Sequence, residues 1–324
     1  MQIYVIEAGD TLEEISRRFG VPAARIAYDN ELTEDHLVVG QALIILEPEV
    51  VYEVEDGDSL SGIAEQFQIT EQTLLRNNSF LLDEDFLLPG RELVISYQGM
   101  EGREVKLSGY AYSFIRDDTL EESLLYIGEL LPFSYGFNED GTLIEMNDAF
   151  LLEQAERFSV GKRMVLTPLD RQERFNNQLV VRLLSEPQVQ EVLVSNILNM
   201  MEEKGYTALD IDFEFIPGEY RDRYVEFVRY TAGMLHERGY EVSVALPPKI
   251  SDDQPGLLYE GIDYGGIGGT ADNVFLMTYE WGYKYGPPMA IAPVPSVRRV
   301  LDYAVTEIPR DRIIMGESDI IGTN

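Results

Sequence analysis

Three carboxylates alternate with three bulky apolar side chains in the stretch Asp210-Ile211-Asp212-Phe213-Glu214-Phe215. In a β-strand, residues two apart share a face. The acids therefore point one way, spaced roughly 7 Å apart by strand rise, and Ile211, Phe213 and Phe215 point the other. A solvated edge strand also alternates, but its polar face normally mixes Lys, Thr and Glu. Crowded like charges raise one another's pKa, and burial adds to the effect. On a buried face the expected outcome is a Glu214 held protonated near neutral pH, above an Asp210–Asp212 pair sharing a proton. That is how a carboxyl group becomes a general acid. A divalent cation and a structural acid network are the competing readings. Carboxylates suit Mg²⁺ or Ca²⁺, but ligands spread along one strand diverge, so no metal site is expected.

The elements that must hold such a face are legible around it. From about residue 105, apolar strand-like runs alternate with helical patterns, as in βα units on a parallel sheet. Strands are expected at 107–114, 131–137, 162–168, 208–215, 241–247, 273–279 and 312–316, and helices near 119–128, 147–158, 186–204, 221–238 and 295–306. This succession predicts an α/β (β/α)8 TIM-barrel-type domain, in which functional groups collect at the C-terminal strand ends. Glu214 would then stand at the mouth, with Asp212 and Asp210 successively deeper. The alternative, a doubly wound open sheet, lacks the Gly-rich phosphate turn such folds often use.

The first hundred residues repeat themselves. Tyr4 through Leu12 matches Tyr52 through Leu60, and Ile15, Phe19 and Asn30 match Ile63, Phe67 and Asn78. Each unit reads strand, Gly-Asp turn, helix, helix, strand. Thr11 and Glu14 suit a capping box, and Leu12, Ile15 and Phe19 form a helical core stripe. Domains are expected at 1–48, 49–97 and 105–324, with a Gly-containing linker at 98–104.

Composition excludes several classes of function. The 324 residues carry a formal charge of −33, and residues 1–100 hold 20 acids against five arginines and no lysine. Nucleic acid and anionic membrane surfaces would be repelled. Without cysteine there is no disulfide, thiol nucleophile or zinc–thiolate site. Two histidines, His36 and His236, are too few for a His-rich metal site, and no cofactor is implied. The N-terminus has neither the basic region nor the apolar core of a secretory signal, and no run approaches the ~18 apolar residues of a membrane span.

The βααβ repeat, with its Gly-Asp-Thr/Ser-Leu turn and an Asn closing the second helix, resembles the LysM module over roughly 2–47 and 50–97. That resemblance implies binding of N-acetylglucosamine-containing glycans such as peptidoglycan or chitin. Asp10, Thr11, Leu12, Asp58, Ser59 and Leu60 would lie near the sugar, although Thr11 and Asp58 equally suit plain helix caps. Asp210-Ile-Asp212-Phe-Glu214 resembles the D-x-x-D-x-D-x-E signature of the family 18 glycoside hydrolases, and Met277-Thr278-Tyr279-Glu280-Trp281 resembles that family's sixth-strand segment. Two LysM modules before such a domain, together with the text MTYEWGYKYGPPMAIAPV, look like the spore cortex-lytic N-acetylglucosaminidases of endospore-forming bacteria.

The resemblance implies substrate-assisted retaining catalysis, an exception to the two-carboxylate scheme. Glu214 would be acid and then base, Asp212 would orient the substrate's acetamido group, Asp210 would set the protonation of Asp212, and Tyr279 would hydrogen-bond the acetamido oxygen. Trp281 is a candidate sugar platform, and Tyr110 and Tyr135 are candidate subsite residues. The resemblance also implies a spore-associated protein made in the mother-cell cytoplasm. Two departures stand out. Thr207 occupies the position where the signature begins with Asp, and its effect is expected on the acid network. After Gly316 the chain reads Glu317-Ser-Asp-Ile-Ile-Gly-Thr-Asn324, so no eighth strand is expected, and a gap is predicted between the seventh strand and the first. A catalytically inactive LysM-anchored glycan-binding protein and a chitin-directed enzyme are the alternatives.

Overall fold

The computed structural model describes residues 2–30, 32, 37–82, 86–99, 105–172, 174–279, 281 and 290–316. They form two compact units: residues 1–107 with 117–127, and residues 108–116 with 128–324.

The first unit contains the two repeats. Strand β1 (Gln2–Val5) is followed by helices α1 (Leu12–Phe19) and α2 (Ala23–Asp29) and pairs antiparallel with β2 (Ala42–Ile45). The second repeat runs β3 (Pro48–Glu53), α3 (Leu60–Phe67), α4 (Glu71–Asn77) and β4 (Glu92–Tyr97), with β3 antiparallel to β4. Local chemistry sets the helix starts. Thr11 Oγ1 accepts from Glu14 N at 3.2 Å, and Ser59 Oγ accepts from Gly62 N at 3.1 Å, satisfying amides that a first turn leaves without partners. Each second helix ends on an asparagine that clamps the last strand. Asn78, fully buried, donates to Leu74 O and Val94 O (both 2.9 Å) and accepts from Val94 N at 2.8 Å. Asn30 repeats the device on Ile26 O and Ile44. Helix α5 (Asp117–Leu124) belongs to this unit, where Gln72 Nε2 donates to Leu124 O at 2.7 Å.

The second unit is a seven-stranded parallel sheet. Its strands are β5 (Ser108–Tyr112), β6 (Glu129–Phe133), β9 (Gly161–Leu166), β10 (Ala208–Ile211), β11 (Glu241–Leu246), β12 (Asn273–Leu276) and β13 (Ile313–Met315), adjacent in that order. A short hairpin of β7 (Gly136–Phe137) and β8 (Leu143–Ile144) follows β6. Helices α6 (Ala149–Arg157), α7 (Asn177–Ser185), α8 (Pro187–Lys204), α9 (Arg221–His236), α10 (Tyr264–Gly268) and α11 (Val294–Glu307) connect the strands. The apolar core lies between strands and helices and includes Leu209, Ile211, Leu193, Ile197, Val228 and Leu235.

The sheet is strongly curled. Tyr110 on β5 and Phe275 on β12 have ring centroids 5.4 Å apart, although five strand spacings on a flat sheet would separate them by about 24 Å. Seven parallel strands on a curled, barrel-like sheet agree with the expected architecture. Among the described residues no ladder joins β13 to β5, which are the two edges. Residues 317–324, on which the expectation of a missing eighth strand rests, lie outside the described residues, as do Glu280 and His36.

Three details differ from the sequence reading. Strand β10 stops at Ile211, not at residue 215. Helix α7 was not anticipated; its Leu179, Val180, Leu183 and Leu184 are buried. Pro187, which cannot continue a helix but suits a helix start, separates α7 from α8. The short α10 was also missed; its three glycines give it low intrinsic helix propensity.

Candidate active site

Asp210 lies on the central strand, between β9 and β11, in register with Val165 and Ser243. Although β10 ends at Ile211, Asp212 N still donates to Leu166 O at 2.9 Å, so the backbone keeps the strand direction. Phe213 fixes it from behind. This side chain is fully buried and stacks on Phe227 (centroids 5.9 Å, 12°) and Tyr224 (6.1 Å, 27°), with Phe137 at 5.7 Å. With Phe213 held outward, the alternating acids are turned to the inner face. Exposure rises along the segment: Asp210 is 1% exposed, Asp212 8%, and Glu214 is half-buried. The alternation then breaks. Phe215 has φ +53° and is 46% exposed, while Ile216 returns to the core.

Asp210 is held by two hydroxyls. Tyr110 OH donates to Oδ2 at 2.8 Å, and Ser243 Oγ donates to Oδ1. Burial pushes the Asp210 carboxyl above its ordinary range. The hydrogen bonds from Ser243 and Tyr110 and the nearby charge of Arg163 pull it back. Burial, followed by the fields of Asp210 and Asp212, holds the Tyr110 phenol well above its usual value, so it remains a donor. Tyr110 was expected to line a subsite. The structure sets its ring on the inner face against Phe133 and Phe275, 37% exposed, with the hydroxyl committed to Asp210.

Tyr279 follows β12 and stands 6.4 Å from Phe275, centroid to centroid. Phe275 in turn meets Tyr110, whose hydroxyl holds Asp210, so Tyr279 joins the aromatic cluster of the inner face. Gly316 makes room for it: a Cβ there would lie 2.8 Å from Tyr279 Cε1 and 2.5 Å from Phe275 Cζ. Trp281 packs half-buried against the core, and its backbone N–H donates to Ile291 O at 3.4 Å.

Tyr135 is elsewhere. It is fully buried in the core, its hydroxyl donating to Asp148 Oδ2, with Tyr206 OH and Lys204 Nζ on the same carboxylate at 2.7 and 2.8 Å. It has no surface to offer a substrate, because β6 ends at Phe133 and Tyr135 meets Leu166 only in an isolated bridge. Thr207 is a second correction. Its hydroxyl donates to Lys162 O at 3.2 Å and does not reach the acids.

What lies beneath Asp210 was not foreseen from sequence. Arg163, 5% exposed, donates to Ser243 Oγ at 3.2 Å and pairs with Glu129 at 2.8 Å and Glu241 at 3.5 Å. The signal was present as a basic residue inside the apolar strand KRMVL and a serine inside EVSVAL. No cluster of residues able to hold a metal ion occurs among the described residues.

In the repeats, Asp10 accepts from Tyr4 OH and Glu7 N (both 2.7 Å), and Asp58 accepts from Tyr52 OH at 2.8 Å and Glu55 N at 2.7 Å. Thr11 and Ser59 are N-caps, Leu12 is buried, and Leu60 packs on the core of its repeat. A concave pocket of about 350 Å³ lies in the second repeat, lined by Asp58, Ser59, Leu60, Phe86 and Leu87 among others.

Comparison with known proteins agrees with this architecture. The LysM domain pattern matches residues 4–46 and 52–96, and the glycosyl hydrolases family 18 pattern matches residues 178–317. A cortical fragment-lytic enzyme of Bacillus subtilis is 35% identical over 98% of this chain and 74% of its own length. The chain belongs to glycosyl hydrolases family 18. It is a glycosidase of that family with N-terminal LysM domains, related to spore cortex-lytic enzymes. The crystal structure of the spore cortex-lytic enzyme SleL of Bacillus cereus superposes with a TM-score of 0.76 at 31% identity, covering 98% of this chain and 74% of that one. A chitinase from Chromobacterium violaceum, 18% identical with a TM-score of 0.60 over 66% of this chain and 68% of its own, shares the fold.

Proposed function

We propose that this family 18 glycosidase cleaves N-acetylglucosaminyl linkages of peptidoglycan by substrate-assisted retaining catalysis, and that its LysM domains deliver it to that polymer. One observation supports the reading: Asp210 on the central strand of a curled parallel sheet is bonded to Tyr110 of the inner face, and Asp212 and Glu214 follow it beyond the strand's C-terminal end in order of increasing exposure. Glu214 protonates the glycosidic oxygen. The substrate's own acetamido oxygen attacks the anomeric carbon, and the aglycone leaves. Asp212 orients the acetamido group, Tyr279 hydrogen-bonds its oxygen, and Asp210 supports Asp212 from below. Glu214, now a carboxylate, takes a proton from the water that opens the oxazolinium ring. Intramolecular attack gains from proximity, so no second carboxylate at ~5 Å across the cleft is needed. Trp281 serves as a sugar platform beside Tyr279.

The pocket at Asp58, Ser59 and Leu60 supports glycan binding by the second LysM domain, with Asp10, Thr11 and Leu12 at the corresponding place in the first. In this reading the carboxylates of Asp10 and Asp58 shape the turn, and backbone groups and apolar rims meet the sugar. The relatives' names point to spore cortex as the site of action. Among the described residues no helix is long and apolar enough to cross a membrane.

The test is release of reducing ends from cortex fragments, compared with chitin oligomers, using Glu214→Gln as control. Wild-type release with loss of about a hundredfold or more in Glu214→Gln is expected. Equal activity in the two proteins ends the catalytic assignment. Retention of the wild type on insoluble peptidoglycan without hydrolysis leaves a glycan-binding protein.

A further inference from the structure

Asp210 accepts an O–H hydrogen on each carboxylate oxygen, from Tyr110 and from Ser243. Each of the two groups brings a single hydroxyl hydrogen, and that of Ser243 could point to Asp210 or away. Arg163 removes that choice. A guanidinium carries only donors, and Nη1 donates to Ser243 Oγ at 3.2 Å. The serine oxygen is therefore occupied as an acceptor, and its hydrogen is driven onto Asp210 Oδ1. Each hydrogen that a carboxyl oxygen accepts favours its ionised form, so the two hydroxyls work against the burial that raises Asp210. Arg163 is in turn held by Glu129, whose Oε2 accepts from Nε at 2.8 Å.

We propose that Arg163 is a positioning residue for the glycosidase reaction, acting through Ser243 to keep Asp210 as the anionic acceptor, so that the proton shared within the acid pair resides on Asp212. The inference rests on the catalytic reading above and deepens it. Asp212 must carry a proton, or release one, next to the acetamido group, and the partner that decides this is Asp210. The groups facing Asp210 are Tyr110 on β5, Glu129 on β6, Arg163 on β9, Asp212 on its own segment, Ser243 and Glu241 on β11, and Tyr224 on α9. Arg163 alone among them is cationic. It sets the direction of the chain of hydrogen bonds and offsets part of the burial that raises the carboxyl. In this chain the guanidinium and serine below Asp210 fill the supporting role that sequence assigned to position 207, whose Thr207 faces Lys162 O instead.

The experiment compares wild type, Ser243→Ala, Arg163→Met/Glu129→Gln, and the triple variant on a soluble N-acetylglucosamine oligomer over a range of pH. Removing Arg163 together with Glu129 leaves no orphaned ion in the pair, and Ser243→Ala removes one oxygen only, so at least one of the two folds. The expected result is a kcat lower by about tenfold to a hundredfold, KM within about twofold, and an acid limb moved to higher pH. The triple variant is expected to be no worse than the more impaired of the other two, because Arg163 acts through Ser243. Losses that multiply in the triple variant, or a pH profile that does not move, overturn the proposal. A second readout does not depend on turnover: with ¹³C-labelled aspartate, the Asp210 carboxyl resonance, assigned from Asp210→Asn, titrates at higher pH in both variants. An unmoved titration overturns the relay even if the wild type hydrolyses nothing, an outcome that would sink only the catalytic reading.

Discussion

At Gly316 the inner face has no spare volume. A Cβ there would sit 2.5 Å from Phe275 Cζ, 2.8 Å from Tyr279 Cε1 and 2.9 Å from Leu276 O. Gly316 N also donates to Leu276 O at 2.9 Å, and its carbonyl accepts from Thr278 Oγ1 at 2.6 Å, so the backbone cannot retreat. Overpacking of this kind costs about 1–3 kcal/mol, and the ring ends of Phe275 and Tyr279 are what must shift. Gly316→Ala is expected to lower kcat about tenfold, leaving far-ultraviolet circular dichroism unchanged. A variant with wild-type kcat would mean that Tyr279 tolerates displacement and is not held in line with the acetamido oxygen. Phe215 shows the same economy of space from the other side. A left-handed backbone at a bulky residue is unfavourable, yet here it ends the alternation, returning Ile216 to the core two residues after Glu214.

Among the elements, the two asparagine clamps allow an internal comparison. Asn78 and Asn30 make the same set of bonds, but Asn78 is fully buried and Asn30 half-buried. Leaving buried backbone groups unsatisfied is the larger cost. Asn78→Ala is therefore expected to destabilise its repeat by about 3 kcal/mol and Asn30→Ala by about half that, read by urea unfolding of each repeat. Equal losses would show that burial does not set the cost.

The Asp148 cluster gives a pH test. Burial alone would raise this carboxyl, but hydrogen bonds from Lys204, Tyr135 and Tyr206 outweigh it and lower it. A depressed folded value means that its stabilisation is complete above the ordinary carboxylate value of about 4 and is lost as pH falls through the folded value. Asp148→Asn is expected to cost about 2–3 kcal/mol at neutral pH and to flatten the fall in stability below about pH 4. A parallel fall in both proteins would remove Asp148 as the cause.

The periodic features were readable in advance. Seven strands, the repeat and the acid alternation follow from spacing alone, because period two and period 3.6 are written in side-chain type. Tyr135 was not readable, since its direction depends on where β6 stops. Arg163 and Ser243 were not assembled from sequence because they lie 80 residues apart, and only strand register brings them beside Asp210.

For the whole molecule, the charge of −33 decides how a polymer is held. A protein this acidic gains nothing from Coulomb attraction to an anionic wall, so retention must come from hydrogen bonds and apolar contact. Binding to insoluble peptidoglycan is expected to stay the same or strengthen as salt rises from about 50 mM to about 500 mM, a change that shortens the screening length severalfold. A tenfold weakening would identify ionic attachment instead. The chain also has a single tryptophan, Trp281, two residues beyond Tyr279. Light absorbed above the tyrosine band is thus emitted from one place, next to the proposed cleft, and the repeats are optically silent at that wavelength. A sugar seated over the indole would change the emission, whereas one held only by the repeats would not. The molecule carries its own reporter, able to separate delivery to the polymer from entry into the cleft in a single titration.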